Sequence, residues 1–313
     1  MRRTPAIGTR KSPPLDGATR AARGRDGFIL VAVLWILGGL AVLAAVYTFY
    51  VVNAASSLKV SNDRIQADAS VSAALELTAY YLGAQKAQER PTSGAFNFRV
   101  GSSSVAVDFV SESARIDLNV ASPALLAGLF RALGAPPAAA ETYAERVVGW
   151  RSPAAAEAIG ADKEITAYRN AGLRYDPRQG PFANTQELWL LLGLPPALTE
   201  RALGYVTVYS GVTSVNIMDA APAVVAALPG MTTDRLAAVL AQRAARPADP
   251  NGILQMLGPA QASATAQGSK ATRVSVHVTL AGGRRVNAEA VILLLDDAPE
   301  PYRVLSWSDD FDG

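Results

Sequence analysis

His277 is the single imidazole in 313 residues, and the chain contains no cysteine. A serine hydrolase would have to use His277 as its base. No G-x-S-x-G elbow accompanies it, and in Val276-His277-Val278 a period of two turns the ring away from its apolar neighbours toward a solvated face. Neither a G-x-x-x-x-G-K-[ST] nor a G-x-G-x-x-G phosphate loop occurs. Thiolate nucleophiles, disulfides, cysteine-ligated metals and multi-histidine metal sites are excluded by composition. Acidic pairs such as Asp296-Asp297 and Asp309-Asp310 read as solubilising surface runs. The sequence therefore predicts a protein with no catalytic residues, no metal site and no cofactor.

Charge is unevenly placed. Residues 1–26 carry seven basic side chains (Arg2, Arg3, Arg10, Lys11, Arg20, Arg23, Arg25) against two acidic ones, and the remaining body holds 22 basic and 25 acidic residues. A mildly acidic body is a poor general phosphate binder. The basic segment leads into Phe28 to Val52, 25 uncharged and mostly apolar residues. At 1.5 Å rise per residue this run crosses roughly 30 Å of hydrocarbon as one transmembrane helix. The positive-inside rule keeps the basic end in the cytoplasm and sends residues 53–313 across the membrane. A cleaved secretory signal is the other reading of the same segment, although its apolar run exceeds the usual length of about 7–15 residues and no A-x-A triplet ends it.

The helix need not stop at the membrane surface. No Pro or Gly interrupts the chain from Asn53 to Leu82, and Val71, Leu75, Thr78 and Leu82 recur at spacings that predict one apolar face. Two alternating stretches around a Gly-Ser-Ser-Ser turn, between Ala95 and Leu118, predict a hairpin. Strand patterns resume only at Arg273 to Leu280, Arg285 to Leu295 and Tyr302 to Trp307, with Gly282-Gly283 as a turn. Between them the chain has helical punctuation: Pro123, Pro136 and Pro137 as starts, Gly134, Gly149, Gly193 and Gly230 as stops. Leu118-Asn119-Val120 through Pro123-Ala124-Leu125 recurs loosely as Val215-Asn216-Ile217 through Pro222-Ala223-Val224, which predicts two helical hairpins.

The stretch Gly27-Phe28-Ile29-Leu30, a Gly closing a basic leader ahead of an uncharged helix, resembles the class III signal of type IV pilins and type II secretion pseudopilins. The resemblance implies cleavage between Gly27 and Phe28 by a prepilin peptidase, with methylation of Phe28. An ordinary signal anchor remains the alternative for this segment alone. Most of that family carries Glu at the fifth mature position, here Ala32. An uncharged residue there suits a subunit with none above it, since a buried ammonium needs a partner charge.

The insert adds a more specific likeness. Tyr143 to Ser152 (YAERVVGWRS), Tyr168-x-x-Ala-Gly-x-x-Tyr175 and Pro181-Phe182-x-x-x-x-Glu187-Leu188 resemble the minor pseudopilin K family of type II secretion. The fold implied is α+β: a pilin-like long N-terminal transmembrane helix packed on an antiparallel sheet, with a large inserted all-α domain containing helix-hairpin-helix-like repeats. The expected divisions are a leader (1–27), the membrane helix (28–52), its amphipathic extension (53–84), pilin-like strands (85–118), the helical insert (119–258) and closing strands (259–313). The implied role is a non-enzymatic subunit at the tip of a periplasmic pseudopilus, anchored in the bacterial inner membrane. Implied partners are the I, J and H minor pseudopilins, the major pseudopilin, the prepilin peptidase and the inner-membrane assembly platform.

Family members can bind calcium through carboxylates in the insert. Here Arg151, Ser152 and Pro153 follow Trp150 where an Asp pair is expected, and Asp162, Glu164 and Glu187 read better as helix-start charges, with Asn184 to Glu187 a capping segment. The second hairpin resembles a DNA-binding helix-hairpin-helix turn, but Thr232 replaces its second glycine and only Arg235 and Arg243 lie near. A membrane-anchored DNA-capturing protein is therefore the rival reading, and nucleic-acid binding is not expected.

Overall fold

The computed structural model describes residues 26–152, 161–245, 249–296 and 298–310. The leader up to Arg25, Pro153 and Asp297 lie outside them, as do the side chains of Asp162 and Asp310. In chain order the elements are helix α1 (Asp26–Gly83), strands β1 (Ser93–Val100), β2 (Ser103–Ser111) and β3 (Ile116–Asp117), helices α2 (Pro123–Ala132), α3 (Pro137–Arg151), α4 (Ala161–Asn170) and α5 (Pro196–Leu203), and strands β4 (Val206–Thr207) and β5 (Val215–Asn216). Helices α6 (Pro222–Ala226), α7 (Thr233–Ala245) and α8 (Pro250–Met256) follow, then strands β6 (Ala264–Thr265), β7 (Ala271–Thr279), β8 (Arg285–Leu294) and β9 (Tyr302–Asp310).

Two compact units divide the chain after Asn62. The first contains the apolar part of α1. In the second, beginning at Asp63, the last five turns of α1 bury Ala67, Val71, Ala74, Leu75, Ala79 and Leu82. Thr78 and Ser70 sit on the same buried face, each hydroxyl donating to a carbonyl one turn back, those of Ala74 and Gln66. The periodicity read from Val71, Leu75, Thr78 and Leu82 is the face that packs. Burying each leucine contributes about 1.5–3 kcal/mol.

That face meets an antiparallel sheet of order β1-β2-β7-β8-β9. Alternation puts Val105, Val107 and Phe109 of β2 and Val274, Val276 and Val278 of β7 on the core side. The register of β8 against β9 passes from Val291↔Ser306 to Ile292↔Val304, so Leu305 is the extra residue of a bulge. Tyr302 of β9 donates its hydroxyl to Glu76 of α1 at 3.1 Å.

Between the adjacent central strands β2 and β7 the chain leaves the sheet and builds a helical insert with its own core, centred on Leu126, Phe130, Val147, Trp150, Leu188 and Val225. Two parallel pairs, β3 with β4 and β5 with β6, close it. Its halves repeat in detail. Asp117 and Asn216 each accept from the main-chain N–H two residues on, at 2.8 and 2.9 Å, making the same turn. Pro123 and Pro222 start the helix that follows. Arg151 then donates to the carbonyls of Leu118 and Ala121, and Arg243 to those of Ile217 and Ala220. The halves meet at Gly128, where a Cβ would overlap the Ala227 carbonyl oxygen.

Two local expectations are corrected. Gly149 does not end a helix; it lies inside α3, and a Cβ there would come within 3.1 Å of the Glu164 side chain, so the residue admits α4. The segment after Asn184 is a 3-10 helix over Thr185–Leu190, without a hydrogen bond from the Asn184 side chain.

Candidate assembly surfaces and the signature cluster

The apolar segment of α1 presents its side chains outward: Phe28 is 77% and Trp35 79% exposed. Gly27 lies in the first turn of the helix, and Ala32 stands one turn beyond Phe28 with its methyl half-buried. Among the described residues α1 is the one helix long and apolar enough to cross a membrane.

The three motifs singled out in the insert come together around one buried carboxylate. Trp150 of α3 donates its indole N–H to Glu187 Oε2 at 2.8 Å. The other carboxylate oxygen accepts from Arg178 at 2.9 Å and from the Ala183 main-chain N–H at 3.0 Å. Glu187, the third residue of the 3-10 helix, thus accepts from the main chain just ahead of that helix and also anchors the tryptophan, which sequence spacing did not disclose. Around the indole stand Tyr168 and Phe182, with ring centroids at 6.2 and 6.1 Å. Tyr168 is fully buried, and its hydroxyl accepts the Leu192 N–H at 3.0 Å. Burial pushes its pKa up to about 12.

Of the carboxylates considered as calcium ligands, the Asp162 side chain lies outside the described residues, and the other two are engaged separately. Glu164 pairs with Arg146 at 2.6 Å, and Glu187 is used as described. No group of three or more His, Asp or Glu side chains able to hold a metal occurs among the described residues. His277 is exposed on β7, with Nδ1 2.8 Å from Asn287 Oδ1. The turn at Gly230 (φ +79°) has the left-handed backbone that favours glycine. Both nearby cations are already engaged with main-chain carbonyls, Arg235 with Gly230 and Arg243 with Ile217 and Ala220.

A second polar centre, missed by sequence reasoning, joins insert to sheet. Glu112 is fully buried and accepts from Arg273 Nε at 2.7 Å and from the Thr207 hydroxyl. Arg273 also pairs with Glu289. Burial alone would lower the Arg273 pKa, and the two carboxylates outweigh it, so the net direction is upward. Ser93 to Asp219, at 2.6 Å, adds a further tie between β1 and the insert.

The last turns of α1 laid on an antiparallel sheet, with a helical insert between adjacent strands, define a mixed helix-and-sheet fold. Residues 107–211 match the family described as type II secretion system (T2SS), protein K. A chain of the crystal structure of the GspK-GspI-GspJ complex from the enterotoxigenic Escherichia coli Type 2 Secretion System is similar, with a TM-score of 0.58 and 16% identity, covering 82% of this chain and 99% of that one. Comparison with curated proteins gives no match.

Proposed function

We propose that this protein is a non-enzymatic minor pseudopilin that caps the periplasmic pseudopilus of a type II secretion machine. The observation that carries the reading is the insert between β2 and β7, whose first half bears the protein K match and gathers Trp150, Tyr168, Phe182 and Glu187 into one core. In this reading the chain is inserted with its basic leader in the cytoplasm and its head in the periplasm. A prepilin peptidase cuts between Gly27 and Phe28, and the released apolar helix packs among those of partner subunits. Ala32 leaves the position of the filament-core carboxylate uncharged, so an ammonium stacked above would be buried without a counter-charge. The partners are an I-type and a J-type pseudopilin, by analogy with the similar solved complex, together with an H-type subunit, the major pseudopilin and the assembly platform. The two duplicated units of the insert read as helix-hairpin-helix-like packing modules, their closing arginines spent on main-chain carbonyls.

Intact mass of the membrane-extracted chain tests this. The expected product begins at methylated Phe28, and Gly27→Ala leaves the full-length chain in the membrane. A wild-type mass that retains the leader, or one that begins within residues 53–84, contradicts the pilin-type reading.

A further inference from the structure

The two edges of the sheet are unlike. At β9 the Leu305 bulge, a preceding Pro301 and the acidic Asp309 obstruct pairing with another strand. Edge strand β1, Ser-Gly-Ala-Phe-Asn-Phe-Arg-Val, has no proline, no lysine and an unbroken register with β2. The main-chain bond from Ser111 N–H to the Thr92 carbonyl fixes the phase of that ladder. Gly94, Phe96, Phe98 and Val100 therefore pair with β2, and the N–H and C=O groups of Ser93, Ala95, Asn97 and Arg99 face outward.

Beside this edge the core is open. A cleft of about 390 Å³ lies between β1 and α1, walled by Leu77, Tyr80, Tyr81, Phe96 and Phe109. Gly94 makes the opening: a Cβ there would stand 2.6 Å from Phe109 Cζ, so the Phe109 ring lies across the bare backbone. Tyr80 is 77% exposed and Leu77 42%, unusual values for residues that flank a core. The cleft lies on the face that Phe96 and Phe98 share. Alternate side chains of a strand added to β1 would enter it, while their neighbours would face water.

The geometry points to β1 as a strand-addition site, which receives an extended segment of a neighbouring subunit with apolar residues at alternate positions. Main-chain pairing to Ser93, Ala95, Asn97 and Arg99 supplies affinity, and the cleft selects the apolar side chains. This rests on the reading of the chain as one subunit of a pilin-like assembly. A small polar ligand does not suit the site, because its walls are aromatic and aliphatic and its hydrogen-bonding groups are spaced along a strand.

The test uses the full-length chain, purified in detergent alone or co-expressed with the I-type and J-type pseudopilins of its own secretion system, and reads amide hydrogen exchange residue by residue. In the complex, the amides of Ala95, Asn97 and Arg99 exchange more slowly by about tenfold or more, while those of β9 are unchanged. Asn97→Pro removes only an outward donor, leaving the ladder to β2 whole, and Leu77→Asp charges the cleft. Each weakens the complex about tenfold with the melting temperature of the isolated chain preserved. A complex that forms with these three amides unprotected overturns the proposal, as does equal protection in the chain alone through self-association. If no complex forms with either subunit, the assembly reading itself fails and this inference falls with it.

Discussion

Replacing Trp150 by Phe isolates the bond that organises the insert. The substitution keeps an aromatic ring between Tyr168 and Phe182 and removes the N–H that reaches Glu187 at 2.8 Å. Both side chains are at least nine-tenths buried, so water cannot replace the lost donor without opening the core. A hydrogen bond to a charged group contributes about 1.5–3 kcal/mol. For a domain of this size each kcal/mol corresponds to about 2–4 °C, so the expected drop in melting temperature is about 3–12 °C. Arg178 binds the opposite oxygen of the same carboxylate but is 46% exposed, and Arg178→Ala should cost no more than about 1 kcal/mol. The assay is circular-dichroism melting of the detergent-solubilised chain. A Trp150→Phe loss below about 0.5 kcal/mol, or one smaller than that of Arg178→Ala, would refute the view that the buried indole bond holds Glu187.

Three further outcomes follow from the same geometry. Glu112→Ala strands Arg273 beside the single carboxylate of Glu289 and should cost about 3–5 kcal/mol, measured by denaturant unfolding. Gly128→Ala drives a methyl into the Ala227 carbonyl and should cost about 1–3 kcal/mol, whereas Gly283→Ala, in an open turn at φ +79°, should cost about 1 kcal/mol through backbone strain alone. Tyr168 is held neutral to about pH 12 in the folded chain and ionises near pH 10 when unfolded. The unfolded state therefore binds fewer protons above pH 10. Stability should fall by about 2–3 kcal/mol between pH 10 and 12, and this component should vanish in Tyr168→Phe.

What the sequence disclosed was whatever depends on local periodicity. The buried face of α1 at Val71, Leu75, Thr78 and Leu82, the outward turn of His277 and the proline starts at 123 and 137 are set by neighbours within one or two turns. Strands β3 and β4 were invisible, because two residues carry no period and Ile116 finds Val206 only after the helices between them have packed. Arg151 read as an interruption of a metal-binding pattern, yet it closes the turn at Leu118 and Ala121. Its counterpart Arg243 repeats the arrangement, and the loose recurrence of the two segments was the signal that could have found it. Glu112 carries no local signal of its role, since its partner Arg273 lies 161 residues away.

The placement of these charges bears on the proposed function. The sheet and the insert have separate apolar cores, and between them stand Glu112 with Arg273 and Thr207, Ser93 with Asp219, and Ser111 with Ser269. Apolar contact is tolerant of sliding, whereas a buried carboxylate shared by an arginine and a hydroxyl is satisfied in one arrangement only. Such a junction contributes little net adhesion compared with an apolar one of equal size, but fixes the orientation of the insert on the sheet. The proposed role, ending a fibre by the shape of the head, needs that fixed orientation. Core mutations on either side should therefore be nearly additive in stability, while loss of Glu112 should act on assembly more strongly than its cost to either core.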